Sequence, residues 1–159
     1  MKSTQFGFSM LEILTTITLV GILVLIAVPM FQEQVARRRL EGIANELSAD
    51  LQYARTEAIS KNRQVQLIAA ADGKSYSVNY VTALPSAPML KTLNLPAGVV
   101  ASPPNETVRF DALRGMAATV GALTLTSPHT TGTLRASASV VGRVHLCSPS
   151  GGFTGYATC

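Results

Sequence analysis

One carboxylate stands where a carboxylate is expensive. Glu12 lies near the head of GFSMLEILTTITLVGILVLIAVPMF, residues 7–31, a run with no other charge. An ionised side chain inside a bilayer costs about 2.5 kcal/mol or more, so such groups come with a partner and a task. The chemistry open to Glu12 is neutralisation by a cation. The remaining reactive types gather at the far end of the chain. Cys147 and Cys159 are its 2 cysteines, which allows one intrachain pairing, and the turn-rich SPSGGFTGYAT between them can close a small loop. In an oxidising compartment that bond persists, and in a reducing one the pair stays free. By loop entropy it is worth about 3 kcal/mol. His129 and His145 are the 2 histidines, and His145 sits beside Cys147 in sequence. Two histidines in a region of loops and strands are far more often solvent-facing than ligating, so no metal site is expected. HExxH, P-loop, GxSxG and CxxC patterns do not occur. The expectation is a protein that is not an enzyme, with no catalytic residues, no cofactor and no small-molecule substrate.

Charge is distributed unevenly. The 9 acids all lie at or before Asp111, and beyond it come Arg114, Arg135, Arg143 and the two histidines. The C-terminal third is therefore cationic and suited to a polyanion, although a solvated surface accounts for it equally. Only 14% of residues are charged, 47% are hydrophobic and the mean hydropathy is +0.29, an apolar average produced by the N-terminal run.

These residues need elements to position them. Residues 8–31 make a helix long enough to cover a hydrocarbon core of about 30 Å. A secretory signal has a shorter apolar region, about 7–15 residues, and a small-residue cleavage site, whereas this run ends in AVPMFQEQVARRR. Arg37, Arg38 and Arg39 would hold that end on the cytoplasmic side, in conflict with export of the remainder. From residue 32 to about residue 60 the pattern turns amphipathic. Leu40, Ile43, Ala44, Leu47, Leu51, Ala54 and Ala58 form one stripe, Glu41, Glu46, Asp50 and Arg55 project mostly off it, and Glu33 and Arg37 have the spacing of a helical ion pair. Pro29 and Gly42 are weak points in the helix. The period then changes to two. Strands are predicted over 64–70 and 76–81, with a hairpin at Asp72-Gly73, and at 107–110, 123–126, 133–141 and 143–146, Gly142 interrupting the last pair. Between them lies a proline-rich loop segment broken by MLKTLNL, a short edge strand. The fold class is α+β: a long N-terminal helix, half transmembrane and half amphipathic, packed on an antiparallel β-sheet domain.

Gly7 followed by Phe8, an acid five positions along at Glu12, and an apolar stretch containing Pro29 resemble the N-terminal signal of type IV pilins and type II secretion pseudopilins. The blocks LSADLQYARTEAISKNRQVQL, VRFDALRG, GALTLTS and GRVHLCSPSG narrow the resemblance to the FimT/FimU minor pilins and the GspH-type minor pseudopilin. It implies a leader over 1–7, cut after Gly7 by a prepilin peptidase that N-methylates Phe8, then a transmembrane assembly helix over 8–31 and a periplasmic domain over 32–159. It further implies a single-pass protein of the bacterial inner membrane, in contact with its lipid, that passes into a pilus or pseudopilus near the tip. Its partners would be other major and minor pilins or pseudopilins. The amine freed at Phe8, its own or a neighbour's, would answer Glu12. Some FimT proteins capture DNA through arginines of a GRxRxC-like strand. The matching segment here is Gly142-Arg143-Val144-His145-Leu146-Cys147, in which the second arginine is a histidine, a poorer phosphate ligand. Arg135, Arg143 and His145 are the candidate DNA contacts, with Phe153 and Tyr156 as stacking faces for single strands.

Overall fold

The computed structural model describes residues 8–81 and 88–159. The leader 1–7, with the cleavage position Gly7, and Pro85 of the proline-rich segment lie outside the described residues. Contacts divide the chain into a unit ending at Val35 and a second unit, Ala36–Cys159.

A single helix, α1 (Met10–Lys61), contributes to both units. It starts on Ser9, whose carbonyl accepts the amides of Glu12 (3.0 Å) and Ile13 (3.2 Å). Ser9 and Glu12 thus have the Ser-x-x-Glu spacing of a helix start, with the acid where the helix dipole favours negative charge. In the first unit the large apolar side chains, from Met10 and Leu11 to Met30 and Phe31, are exposed. The hydroxyls of Thr15, Thr16 and Thr18 donate back to carbonyls of the preceding turn, at 2.9, 2.8 and 2.5 Å, so they do not need water. The helix is long and apolar enough to cross a membrane, with a mean hydropathy of 2.5 over its most apolar window. Its assignment runs without a break through positions 29 and 42.

In the second unit the predicted stripe is the core. Leu40, Ala44, Leu47, Leu51, Ala54 and Ala58 are all at 0% exposure, and Ile43 packs at their margin. The helix ends at Asn62, whose φ of 49° reverses the chain. The Asn62 amide donates to the Ile59 carbonyl (3.3 Å) and the Arg63 amide to that of Ala58 (3.1 Å), the paired closure of a Schellman cap.

Among the described residues nine strands follow. β1 (Val65–Ala69), β2 (Ser75–Tyr80), β3 (Met89–Asn94), β5 (Thr107–Phe110) and β6 (Ala117–Thr119) make one sheet, ordered β3-β2-β1-β5-β6. β4 (Val100–Ser102), β7 (Ala122–Thr126), β8 (Leu134–Ala138) and β9 (Val144–Cys147) make the other, ordered β4-β7-β8-β9, and all pairings are antiparallel. Inward residues of both sheets, among them Leu67, Tyr76, Val78, Val108, Phe110, Leu123, Leu125 and Leu134, join the helix stripe in one cluster. This is the expected α+β arrangement, and MLKTLNL is the edge strand β3. β4 falls in the segment read as loop, β6 lies outside every predicted strand, and β8 is shorter than 133–141 because Val140 and Val141 belong to a turn.

The Asp72-Gly73 hairpin also links the sheets. Lys74 N–H donates to Asp72 Oδ1 (2.9 Å), Gly73 has φ 65°, and its carbonyl accepts the amide of Ala101 in β4 at 2.8 Å. A Cβ at position 73 would lie 2.6 Å from the Ala101 carbonyl oxygen, so glycine is required by both torsion and space.

Candidate functional site

The first candidate position is the helix start. Phe8 and Glu12 are exposed, four residues apart at the N-terminal end of α1. Among the described residues the salt bridges are Lys91 with Glu46 and Lys91 with Asp50, so Glu12 has no cationic partner among them. An unpaired carboxylate on an exposed apolar helix is tolerable in lipid only when another group supplies the charge.

The second is the outer face of the β4-β7-β8-β9 sheet. Antiparallel register places Arg135 opposite Cys147 and Ser137 opposite His145. Side chains alternate along a strand, so Arg135, Ser137, His145 and Cys147 share one face, with Arg143 two residues before His145 on the same side. Arg135, Ser137, His145, Cys147 and Cys159 line a cavity of about 420 Å³, and Arg135 Nε donates to Thr124 Oγ1 at 3.1 Å. His145 also lines a groove of about 350 Å³ with Arg143, Gln52, Arg55 and Thr56. The structure thus brings the three candidate DNA contacts onto one face bridged by His145, and no carboxylate side chain lines either cavity. It adds Arg55, which sequence reading treated as a solvated helix charge. Arg55 Nε donates to the Gly115 carbonyl at 2.9 Å, and Gly142 packs against the same carbonyl.

Cys147 and Cys159 are joined, with Cα atoms 5.1 Å apart. The loop they close folds back on itself, Ser148 N–H donating to the Ala157 carbonyl at 2.8 Å. The proposed stacking role of Phe153 is contradicted: its ring is 3% exposed, with the Arg37 guanidinium 5.0 Å from its centre. Tyr156 packs edge-on against Phe153, centroids 6.3 Å apart. Arg37 also donates to the Gly152 carbonyl, so its guanidinium is engaged by the loop. The turn glycines of the loop allow the ring to fold inward, which the apolar character of Phe153 favours. His129 is exposed in the loop between β7 and β8, whereas His145 lies in β9, and among the described residues no three His, Cys, Asp or Glu side chains form a group able to hold a metal.

The helix carries its acids on another side. Asp50 was expected to project off the stripe but is 5% exposed, because Tyr76 and Lys91 need it. Tyr76 Oη–H donates to Asp50 Oδ2 at 2.8 Å and Lys91 Nζ to Asp50 Oδ1 at 2.8 Å. Burial first, and then the bond to Asp50, push the Tyr76 phenol well above its ordinary value, and the bond to Asp50 raises Lys91. Tyr80 is raised by its hydrogen bond to Glu57, at 2.5 Å, while Arg63 lies 4.4 Å over its ring. These contacts fasten β2 and β3 to α1.

A helix that is apolar and uncovered in its first half, with its second half buried in a core shared with antiparallel sheets, defines a type IV pilin-like fold. The family model for type II transport protein GspH matches residues 44–151. The chain belongs to the GspH family of minor pilins and pseudopilins. The type IV minor pilin FimU of Pseudomonas aeruginosa superposes with TM-score 0.59 at 27% identity, over 75% of this chain and 96% of that one. The minor pseudopilin EpsH of the Vibrio cholerae type 2 secretion system shares the fold, with TM-score 0.56 at 16% identity over 70% and 98% of the two chains. A fimbrial protein of P. aeruginosa is 29% identical over 76 residues, 48% of this chain and 49% of its own. The type IV major fimbrial protein FimA of Dichelobacter nodosus is 37% identical over 46 residues, 29% of this chain and 30% of its own. The chain spans about half the length, or less, of the curated relatives it matches. Pilins and pseudopilins are structural subunits, not enzymes.

Proposed function

We propose that this chain is a minor subunit built into a type IV pilus or a type II secretion pseudopilus at or near its tip, where it aids assembly. The observation that supports this reading best is Glu12, a charge with no salt-bridge partner among the described residues, on an apolar, exposed helix fused to a pilin domain. Cleavage after Gly7 by a prepilin peptidase gives Phe8 a new ammonium group, which is then methylated. A neighbouring helix carrying that ammonium removes the cost of burying Glu12, so charge pairing drives side-by-side packing. The apolar half of α1 holds the subunit in the inner membrane, with the domain in the periplasm until assembly. The test is mass spectrometry of the chain extracted from host membranes, together with Glu12→Val. The reading expects a form beginning at N-methylated Phe8, and loss of the Glu12→Val variant from sheared filaments while it remains in the membrane. An untrimmed chain, or a variant incorporated as well as wild type, refutes it.

A second reading, DNA capture, is favoured by the placement of Arg135, Arg143 and His145 on one face, with no Asp or Glu lining its two cavities. So few cations give weak, strongly salt-dependent attachment. Filter binding at low salt that is weakened by Arg143→Ala supports it; binding indifferent to that change removes it.

A further inference from the structure

The β9 side of the β4-β7-β8-β9 sheet is unpaired at Val144 and Leu146, up to Ser148, where the chain's own Ala157 and Thr158 cover it. Ser139 N–H donates to the Arg143 carbonyl at 2.8 Å, which makes 139 and 143 a hydrogen-bonded pair. Antiparallel alternation from there, in the register Ser137↔His145 and Ala136↔Leu146, turns the N–H and C=O of Val144 and Leu146 away from β8. Among the described residues no backbone group outside the ladder bonds them. The groove of about 350 Å³ lies beside the Val144 end of this edge, with Gly142, Arg143, Val144 and His145 on one wall and Gln52, Arg55 and Thr56 of α1 on the other.

Two features of the groove select its occupant. Its charged lining is Arg55 and Arg143, beside the His145 imidazole and with no carboxylate side chain, because Glu46, Asp50 and Glu57 are drawn to Lys91, Tyr76 and Tyr80. Its backbone alternates donors with acceptors, a pattern that an extended peptide matches and a phosphodiester chain, which has only acceptors, does not. Pairing β9 with β9 of a second copy would bring the two Arg143 side chains into one small patch, and like charges in neighbouring cross-strand positions repel.

We propose that the groove between α1 and β9 receives an extended segment of another polypeptide, acidic on its outward side and apolar on its inward side, added beside β9 as a further strand of the four-stranded sheet. Outward acids of that segment lie beside Arg143 and His145, inward apolar residues lie beside the half-buried Val144 and Leu146, and Arg55 closes the helix side. This inference is independent of leader cleavage and of Glu12.

The test uses the full chain in detergent micelles at low salt. An alternating Glu-Val octapeptide is the probe, with a Lys-Val octapeptide and oligothymidylate as controls. The Glu-Val peptide is expected to bind, to slow amide exchange at Val144 and Leu146, and to outcompete both controls. N-methylation of alternate peptide residues on the bonding side should weaken it about tenfold, as two lost hydrogen bonds would. Arg143→Glu should weaken it by a similar factor. Val144→Pro removes an outward donor without touching the β8 ladder and should abolish binding, and the N-methylated peptide asks the same question with the protein unaltered. Absence of Glu-Val binding, equal binding of the N-methylated peptide, or unchanged exchange at Val144 and Leu146 overturns the proposal. Protection of these amides by oligothymidylate in preference to the peptide would also overturn it, assigning the groove to nucleic acid.

Discussion

Replacing Asp50 by alanine isolates what its buried carboxylate does. Tyr76 is 1% exposed, and its hydroxyl would lose its acceptor at 2.8 Å in a place water does not reach, which costs about 1–3 kcal/mol. The Lys91 ion pair adds less, about 0.2–1 kcal/mol, because the Lys91 side chain is 37% exposed and well screened. Together the substitution should cost about 2–3 kcal/mol. Urea denaturation of the Ala36–Cys159 unit, which contains every residue of the core cluster, reads this directly. With a slope of about 1–2 kcal/mol/M the midpoint falls by between about 1 and 3 M. Tyr76→Phe should cost about 1 kcal/mol, since it removes one bond and leaves Asp50 with Lys91. The double substitution should cost less than the sum by about 1 kcal/mol, because the hydroxyl orphaned by Asp50→Ala is then absent. An Asp50→Ala cost under about 0.5 kcal/mol, or strict additivity, refutes the account of why an acid is buried there.

Alkaline pH acts on the same cluster. Tyr76 and Lys91 are both raised in the folded state, so their contribution is complete below the unfolded values and is lost as pH rises beyond about 10; denaturation between pH 9 and 11 should show this, with a shallower fall in Tyr76→Phe. Reduction of Cys147–Cys159 should lower stability by about 3 kcal/mol, read as a shifted urea midpoint with and without reductant, and intact mass after alkylation should report no free thiol before reduction. Gly142→Ala should destabilise by about 2 kcal/mol or more on the same assay, because φ is 75° there and a Cβ would collide with the Gly115 carbonyl.

What the sequence revealed was what depends on local pattern. The stripe Leu40 to Ala58 has helical spacing and is buried along its length, and Asp72-Gly73 marks its hairpin through torsional demand alone. β5 coincides with the predicted 107–110 because apolar alternation defines it. β4 and β6 have three residues each, too short for periodicity, and exist because distant strands pair with them. The same reason hid the site details. Nothing adjacent to Asp50 in sequence announces Tyr76 or Lys91, which reach it from β2 and β3. Phe153 looked like an available ring because its neighbours are turn formers, and only the fold puts Arg37 over it. Arg55 joined the candidate groove through contacts made across about ninety residues, beyond any motif.

The hairpin at Gly73 has a consequence for solubility. Ala101 is the middle residue of β4, and Gly73 covers both its amide, by a hydrogen bond, and its carbonyl, by close approach. A three-residue strand has little else to offer a stranger, so that margin of the sheet is sealed. The opposite margin carries Arg143, which repels its own kind. Copies of the domain crowded together therefore find little purchase for zipping into a continuous ribbon through this sheet, a safeguard against aggregation.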